Sequence, residues 1–324
     1  MFDISVIIPT HNRGELLPQA IDSCIRQFAT DQFAAQLIVV DDGSTDNTVD
    51  VLDTYGAKIE SIVLAHNGGQ CAARNLGLER ATGRYIKFLD SDDVLEQDAL
   101  EKEIEIADNQ SADIVICGWG TLKMNNSGVP TSGTERTWPA PNMNPLPESL
   151  LQGCAVPTTA ALYRRSYIAG LKWDKNIRKL DDWDWFCQAA LRRGKLVSLD
   201  AVSYWMREHD SPRVTSSSTM LVNAQDHHRV LAKVENALKK NGELTRSRAK
   251  RLAQYYYKEL RVLSLFDPGH FEIAVDHIRS LDPRFSPVEE ERDWYMRLLG
   301  KLIGFKRAIL IHSFLKRRTL PHKC

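Results

Sequence analysis

The sequence lacks the features that mark several protein classes. None of its six cysteines forms a Cys-x-x-Cys pair, so a zinc or disulfide framework is not indicated and reduced thiols are expected. No apolar run reaches the roughly 18 residues that a membrane-spanning helix needs, and no signal-peptide pattern precedes the first strand-like run. With 42 basic and 42 acidic residues, the overall charge does not predict nucleic-acid binding. These absences favour a cytoplasmic globular protein.

Two glycine-rich phosphate-binding motifs are also missing. Gly-x-Gly-x-x-Gly does not follow the first strand-like run, and Gly-x-x-x-x-Gly-Lys-Ser/Thr occurs nowhere in the chain. Dehydrogenases and P-loop proteins are therefore disfavoured. The segment that does follow the first run, residues 9–14, is a polar elbow before a helix, and backbone amides at such a junction can bind a nucleotide or phosphate.

What the sequence does contain is an alternation of short apolar runs with helix-like stretches over its first 120 residues. The runs cover residues 4–8, 37–40, 62–64, 85–89 and 114–117. This cadence predicts an α/β fold with a mainly parallel central sheet flanked by helices. Because ligands of such sheets bind beyond the carboxyl ends of the strands, the residues after each run are the first candidates for a site.

We expect a catalytic domain over residues 1–219, with a nucleotide-binding half at 1–120 and an acceptor-side half at 121–219. The strand pattern stops near Met220, so residues 220–324 are expected to form a helical C-terminal region. Its end, 301–324, carries seven basic residues and no acidic one among apolar residues. Such a basic amphipathic helix can lie on a membrane surface, although a helix packed on the catalytic domain is the alternative.

Acidic residues follow two of the apolar runs. Asp41 and Asp42 come after the second run, and Asp90 and Asp92 come after the fourth. An aspartate at such a position often forms a turn or caps a helix. Two carboxylates separated by one residue at a strand end can instead bind one divalent cation, which would neutralise the charge that grows on a departing diphosphate.

Asp93 fits the simpler role of a helix cap. Asp93 and Glu96 have the spacing of a capping box, and an amphipathic run follows them as far as Ala107. We therefore expect Asp93 to cap a helix and leave Asp90 and Asp92 as the metal candidates.

Four motifs in this order resemble those of family-2 inverting glycosyltransferases with the GT-A fold. They are Ser-Val-Ile-Ile-Pro-Thr-His-Asn-Arg at 5–13, Val-Val-Asp-Asp-Gly-Ser-Thr-Asp at 39–46, Asn-Gly-Gly at 67–69 with Ala-Arg-Asn at 73–75, and Gly-Arg-Tyr-Ile-Lys-Phe-Leu-Asp-Ser-Asp-Asp at 83–93. The resemblance implies a GT-A fold with a helical C-terminal extension. It also implies transfer of a sugar from a nucleotide-diphosphate donor, most readily a UDP-sugar, to a hydroxyl of a saccharide or lipid-linked acceptor, with Mn²⁺ or Mg²⁺.

The same resemblance implies roles for individual residues. The substrate-binding positions are Pro9, Thr10, His11, Arg13, Asp41, Asp42, Asn67, Gly68, Arg74, Asp90, Ser91, Asp181 and His209. Asp90 and Asp92, with His209, are the metal candidates. Such enzymes synthesise surface polysaccharides or glycolipids, which implies a cytoplasmic enzyme that can contact the inner face of the plasma membrane.

The resemblance places the catalytic base at Asp182, in the segment 180–184. Family members more often carry Glu-Asp there, so Asp181 departs from the pattern. An inverting transfer needs one general base for the acceptor hydroxyl, and desolvation by Trp183 or Trp185 would raise the pKa of the carboxyl toward a useful range. Acids at a helix start also have a structural explanation, because the helix dipole stabilises them.

Other assignments stay open. His209 has a structural alternative, Arg207 and Arg213 compete with it for a role at the diphosphate, and residues 153–159 form either an acceptor-side loop or an ordinary turn. A sugar nucleotidyltransferase is disfavoured because residues 9–14 lack a glycine-rich loop with Arg and Lys. A non-catalytic nucleotide-sugar sensor would be marked by loss of the metal or base carboxylates, which are present here.

Overall fold

The computed structural model describes residues 2–29, 32–123, 136–143, 146–151, 156–208, 220–286 and 294–317. The chain divides into two compact units. We call the first the sheet unit; it comprises residues 1–150, 154–176 and 181–211. We call the second the helical unit; it comprises residues 151–153, 177–180 and 212–324.

The strands of the sheet unit form one mixed sheet. Those of the described residues are β1 (Ile4–Thr10), β2 (Ala35–Asp41), β3 (Glu60–Val63), β4 (Tyr85–Phe88), β5 (Asp93–Leu95), β6 (Ile114–Lys123), β7 (Arg136–Trp138), β8 (Ala161–Arg164) and β9 (Leu196–Glu208). Their order is β3-β2-β1-β4-β8-β6-β9-β5, with β7 paired to β6. The first four strands are parallel, β8 runs antiparallel to both β4 and β6, and β9 is parallel to β6. The predicted α/β class is confirmed.

Helices connect these strands and make up the C-terminal part. The helices of the described residues are α1 (Leu17–Phe28), α2 (Thr48–Tyr55), α3 (Gln70–Arg80), α4 (Ala99–Asn109), α5 (Glu148–Leu151), α6 (Asp181–Ala190), α7 (Met220–Lys240), α8 (Arg246–Lys258), α9 (Leu260–Phe266), α10 (Pro268–Leu281), α11 (Trp294–Ile303) and α12 (Phe305–Arg317). Among the described helices, none has both the length and the apolar character that crossing a bilayer requires.

The central strands are continuous apolar runs because they are buried on both faces. Every residue of β1 is buried, including Ser5, whose hydroxyl donates to Gln36 at 2.7 Å. Helix α3 lies close against β1, and a Cβ added at Gly77 would come within 2.3 Å of the Ile7 side chain. This close packing fixes the start of α3, and therefore Arg74, near the carboxyl end of β1.

The expected helix cap at Asp93 was wrong. Residues 93–95 form β5, which pairs antiparallel with β9, and the helix begins six residues later at Ala99. Asp93 is buried, and its Oδ1 accepts a hydrogen bond from the backbone N–H of Arg207 at 3.2 Å. Residues 93–95 form a strand despite the capping pattern because β9 provides hydrogen-bond partners for their backbone groups. The first turn of a helix would leave such groups without partners.

Candidate active site

A tight turn follows β4 and carries the acid-x-acid pair. The N–H of Asp93 donates to the carbonyl oxygen of Asp90 at 3.0 Å, which closes the turn. Beneath it, the fully buried Arg207 donates from Nε to the carbonyl of Asp92 at 2.6 Å and from Nη2 to that of Ser91 at 3.4 Å. Burial lowers the pKa of Arg207. Arg207 thus positions the turn from the protein interior, and its role at a diphosphate stays a prediction.

Arg74 of α3 gathers the acids of two separate elements. Its Nη2 lies 2.7 Å from Oδ1 of Asp90, and its Nη1 lies 2.6 Å from Oδ2 of Asp181 and 3.9 Å from Oδ1 of Asp182. The guanidinium also stacks over Trp173 at 4.5 Å. Burial alone would lower the pKa of Arg74, but the three carboxylates raise it above its ordinary value. The cation therefore stays charged and holds the site's acids together.

Two adjacent aspartates at the start of α6 have different surroundings. Asp181 is 4% exposed and accepts hydrogen bonds from Arg74 and from Nε2 of Gln70 at 2.7 Å. The side chain of Asp182 is 39% exposed, and its Oδ1 accepts a hydrogen bond from the hydroxyl of Thr158. No described residue donates a hydrogen bond to its other oxygen, Oδ2. The pair therefore consists of one enclosed carboxylate and one with an oxygen open to an incoming molecule.

The pKa of Asp182 matches the needs of a base at neutral pH. Although the side chain is partly accessible, surrounding protein desolvates it, and this effect with the negative charge of Asp181 raises its pKa to about 7. The hydrogen bond from Thr158 and the charge of Arg74 act in the opposite direction. A carboxyl that titrates near neutrality can accept a proton effectively while it remains largely ionised above pH 7.

The acid-x-acid pair has the donor chemistry of a divalent-cation site. Desolvation and the charge of Asp92 raise the pKa of Asp90, whereas Arg74 opposes that shift. Asp92 is partly exposed, with its Oδ2 3.9 Å from Nε of Arg13. Among the described residues no group of three or more His, Cys, Asp or Glu side chains could hold a metal ion. Two carboxylates still fit Mg²⁺ or Mn²⁺, because in phosphate sites water and phosphate oxygens complete the coordination. His209 lies outside the described residues.

The loops that follow β1 and β2 form another part of the candidate site. Thr10 pairs in register with Asp41, and the N–H of Asn12 donates to the hydroxyl of Ser44 at 2.8 Å. Two buried polar atoms here, Oγ1 of Thr10 and Nδ1 of His11, have no hydrogen-bond partner within the described residues. Buried polar atoms are usually hydrogen-bonded, so these two are candidate contacts for a ligand.

Asp41 and Asp42 shape these loops. Asp41 accepts hydrogen bonds from the N–H of Ser44 at 3.0 Å and from its hydroxyl. The two oxygens of Asp42 accept one bond each, both at 2.7 Å, from the N–H groups of Gly68 and Gly69. A ligand contact by either acid would use the remaining lone pairs of these oxygens.

The loop after β2 is compact because Gly43 lies close to the segment that precedes α3. Gly43 has a φ of +70°, and a Cβ there would lie 2.8 Å from the carbonyl carbon of His66. Asn67 closes the same loop, since its Oδ1 accepts a hydrogen bond from the N–H of Gly69 at 3.0 Å. The Asn-Gly-Gly motif, which links β3 to α3, is therefore held against the end of β2.

The structure brings most of the sequence candidates to one edge of the sheet. Ser91 contributes a carbonyl to the turn, and the side chain of Pro9 is buried in β1. Sequence reasoning did not find Gln70, Trp173 or the bond from Thr158 to Asp182. Gln70 had a usable signal, because it lies four residues before Arg74 on the same helical face. Trp173 had none, since nothing local ties it to Arg74.

The comparisons with known proteins agree with this architecture. A family model described as "Glycosyl transferase family 2" matches residues 5–171, just over half of the 324 residues. The chain belongs to glycosyl transferase family 2. The matched region of this family-2 protein includes the ends of β1, β2 and β4 and the whole of α3, where the acids, Thr10 and Arg74 lie.

Curated relatives of this family-2 protein include two from Bacillus. It is 26% identical over 301 residues to the poly(ribitol-phosphate) beta-glucosyltransferase of Bacillus spizizenii, covering 91% of this chain and 44% of the relative. It is 35% identical over 127 residues to the putative teichuronic acid biosynthesis glycosyltransferase TuaG of Bacillus subtilis, covering 38% and 49%. The chain thus spans about half the length of these relatives.

Solved structures share the fold of this family-2 protein at low sequence identity. S. aureus TarS 1-349 in complex with UDP-GlcNAc is 19% identical, with a TM-score of 0.68 over 99% of this chain and 93% of that one. The mannosyltransferase PcManGT from Pyrobaculum calidifontis, in complex with GDP-Man and Mn²⁺, is 15% identical, with a TM-score of 0.52 over 98% and 87%. The GT-A fold predicted from the motifs is confirmed.

Proposed function

We propose that the protein is an inverting glycosyltransferase that moves a sugar from a nucleotide-diphosphate donor, most readily a UDP-sugar, to a hydroxyl of a saccharide or lipid-linked acceptor. The observation that carries the proposal is the convergence of Asp90, Asp181 and Asp182 on the buried Arg74 beyond the strand ends. Residues 1–219 would form the catalytic domain, and 220–324 would form the helical C-terminal region.

Asp182 is the proposed general base. Its Oδ2 is open, its Oδ1 is fixed by Thr158, and its pKa is about 7. In the reaction this carboxylate takes the proton from the acceptor hydroxyl while that oxygen attacks the anomeric carbon. The bond from the anomeric carbon to the diphosphate oxygen breaks with both electrons going to the diphosphate, so the product has inverted configuration.

The donor nucleotide is proposed to bind against the loops that follow β1 and β2. The buried Oγ1 of Thr10 and Nδ1 of His11 supply unsatisfied polar atoms there, and Asp41 and Asp42 supply further acceptors. The S. aureus and Pyrobaculum structures, which contain UDP-GlcNAc and GDP-Man, support a nucleotide sugar as the ligand class. Arg13 and Arg74 are the proposed contacts of the diphosphate, whose negative charge their guanidinium groups complement.

Asp90 and Asp92 would hold Mn²⁺ or Mg²⁺, which supplies charge neutralisation for the diphosphate when it is bound. This chain's own contribution is to keep both carboxylates at the turn and ready to bind. Arg207 fixes the backbone of the turn, and the ion pair with Arg74 fixes the orientation of the Asp90 side chain. His209 is kept as a further candidate for the metal or the diphosphate.

The relatives suggest the setting of the reaction. The names of the two Bacillus proteins point to poly(ribitol-phosphate) and teichuronic acid, which supports a role in surface polysaccharide or glycolipid synthesis. We propose a cytoplasmic location, with contact to the inner face of the plasma membrane through residues 301–324, because a lipid-linked acceptor would be presented there.

A nucleotide-release assay tests the proposal. The full chain is incubated with UDP-, GDP- and dTDP-sugars, with and without Mn²⁺ or Mg²⁺, and with saccharide or lipid-linked acceptors. We expect turnover of at least one donor, fastest with a UDP-sugar and a divalent cation. Tight nucleotide binding without turnover of any donor would instead identify a non-catalytic sensor of nucleotide sugars.

A further inference from the structure

Helix α12 buries polar side chains beside the apolar Phe305, Ala308 and Ile309. Its buried side includes His312 and Ser313, which are 8% and 3% exposed. His312 Nδ1 shares a hydrogen bond with the hydroxyl of Tyr295 at 2.8 Å, and Ser313 shares one with the hydroxyl of Ser264 at 2.5 Å. Because these polar groups are satisfied inside the helical unit, the helix is held with a second set of apolar residues facing outward.

The outward side of α12 is strongly apolar. Leu310 and Ile311 are each 41% exposed, and Phe314 and Leu315 are each 57% exposed. These residues lie one turn apart in pairs, so they share one face of the helix. An exposed helix face made of four large apolar side chains is not explained by packing within its own unit.

Helix α11, which packs against α12, adds two more exposed leucines. Leu298 is 49% exposed and Leu302 is 70% exposed, and they are four residues apart. We define the apolar surface as these two leucines together with Leu310, Ile311, Phe314 and Leu315. It holds six of the twelve exposed large apolar side chains of the described residues, within 24 positions of the chain.

The two helices that carry this surface have charged residues of one sign, and Lys306 among them pairs with Glu272 of α10. Helices α11 and α12 contain six basic residues, Arg297, Lys301, Lys306, Arg307, Lys316 and Arg317, and no acidic residue. Arg307 is exposed on the same face as Leu310, Ile311 and Phe314. An occupant with negative charge is therefore favoured. A second copy of the chain would bring like charges together, which opposes that alternative.

We infer that the apolar surface docks on the anionic face of a lipid bilayer. Its leucine, isoleucine and phenylalanine side chains enter the boundary between headgroups and acyl chains, and the flanking cations approach the lipid phosphates. The inference sharpens the membrane part of the proposed function, extends it to α11, and does not require sugar transfer.

Vesicle flotation of the full chain without donor or acceptor tests this inference. The probe vesicles contain either phosphatidylcholine alone or equal parts phosphatidylcholine and phosphatidylglycerol. We expect binding to the anionic vesicles to be about tenfold tighter or more, and to weaken with salt. The double variant Phe314→Glu, Leu315→Glu should lose about tenfold or more of this binding, and Leu302→Glu and Arg307→Gln should each lose about fivefold.

Ile273→Glu is the matched control. Ile273 is 70% exposed, like Leu302, but lies on α10 close to the acidic Glu272 and Asp276, so its replacement should leave vesicle binding within about twofold. Circular dichroism establishes that each variant is folded.

Three outcomes would overturn the inference. They are absence of vesicle binding by the original chain, equal binding to both vesicle types, and unchanged binding of the Leu302 and Phe314–Leu315 variants. A dimer in light scattering that these variants dissociate, without vesicle binding, would identify the surface as an interface between copies. Because no nucleotide sugar is present, none of these results depends on whether the proposed sugar transfer is correct.

Discussion

The sheet unit and the helical unit use their basic residues in different places. In the sheet unit Arg74, Lys87 and Arg207 are at most 2% exposed, and each is held by carboxylates or carbonyl oxygens. In the helical unit the basic residues of α11 and α12 accompany an exposed apolar surface instead, and Arg307 among them is exposed. The buried cations hold partners within their own unit, whereas the exposed Arg307 can contact an external partner.

The two units also differ in how their buried titratable groups respond to pH. In the sheet unit, desolvation raises the pKa of Asp182 to about 7, whereas the unfolded carboxyl ionises near pH 3.8. The free energy of unfolding therefore falls as the pH rises from 3.8 towards 7. In the helical unit, burial lowers the pKa of His227 to about 4 and of His228 to about 3, so their protonation costs stability as the pH falls below 6.5. Substitutions in either unit test this contrast.

The largest expected effect is on catalysis in the sheet unit. Replacing the proposed base by Asp182→Asn removes proton acceptance while keeping the shape of the side chain, so transfer should fall by about 10²–10⁴-fold. Donor binding, measured by calorimetry, should change little. Near-normal transfer by a folded Asp182→Asn protein would remove Asp182 from the role of base.

The next effect tests whether a buried cation of the sheet unit is structurally essential. Lys87 Nζ lies 2.6 and 2.8 Å from the two oxygens of Glu103, and both side chains are fully buried. Lys87→Met leaves that carboxylate unpaired, so the free energy of unfolding should fall by about 3–5 kcal/mol.

Two variants sharpen the Lys87 prediction in denaturant titrations. Adding Glu103→Leu to Lys87→Met should restore much of the lost stability, because no buried charge then remains unpaired. In the helical unit, Lys306→Met removes the more exposed ion pair with Glu272 and should cost about 1 kcal/mol or less. Equal losses for the two lysines would contradict the comparison.

A smaller effect concerns acid stability of the helical unit. As the pH falls from 7 to 5, the free energy of unfolding should decrease by about 2 kcal/mol on account of His228. The unfolded histidine takes up a proton near pH 6.5, whereas the buried histidine of the folded state stays neutral. His228→Phe removes this titration and should flatten the pH dependence. Hydrogen exchange of peptides from α7 and α8 measures it, and an unchanged slope would refute the assignment.

The smallest effect is on the pH profile of the site. Thr158→Val removes a hydrogen bond from the ionised form of Asp182, so its pKa should rise by about one unit and the acid limb of kcat/KM should move upward with it. Transfer would then fall several-fold near pH 7 and recover at higher pH. Thr158→Ser should keep the original profile, as should Thr159→Val. A profile unmoved by Thr158→Val would show that this bond does not tune the base.

The strands and the acids at their ends were predictable because their signals are local. Buried parallel strands such as β1 are continuous apolar runs, and the polar residues that end them mark the ligand edge. The role of Asp93 was not predictable, since it depends on pairing with β9 far along the chain. The same holds for Arg74, whose second carboxylate partner comes from α6.

Helix α12 shows a different limit. Its sequence indicates an amphipathic helix, but it does not show which face is buried. That choice depends on the packing of Ala308 and Ile309 and on Tyr295 of α11 and Ser264 of α9, which satisfy His312 and Ser313 inside the helical unit. Periodicity predicts that a helix has two faces, and only the packing partners determine which one meets water.

The proposed mechanism is transfer of a sugar by the sheet unit in one direct displacement, with Asp182 as base. Proton NMR of the first-formed product, with the donor that turns over fastest, tests it most directly through the anomeric configuration. The account predicts inversion, so that an α-linked donor gives a β-linked product, together with loss of that product in Asp182→Asn. A product that retains the donor's configuration would contradict the account.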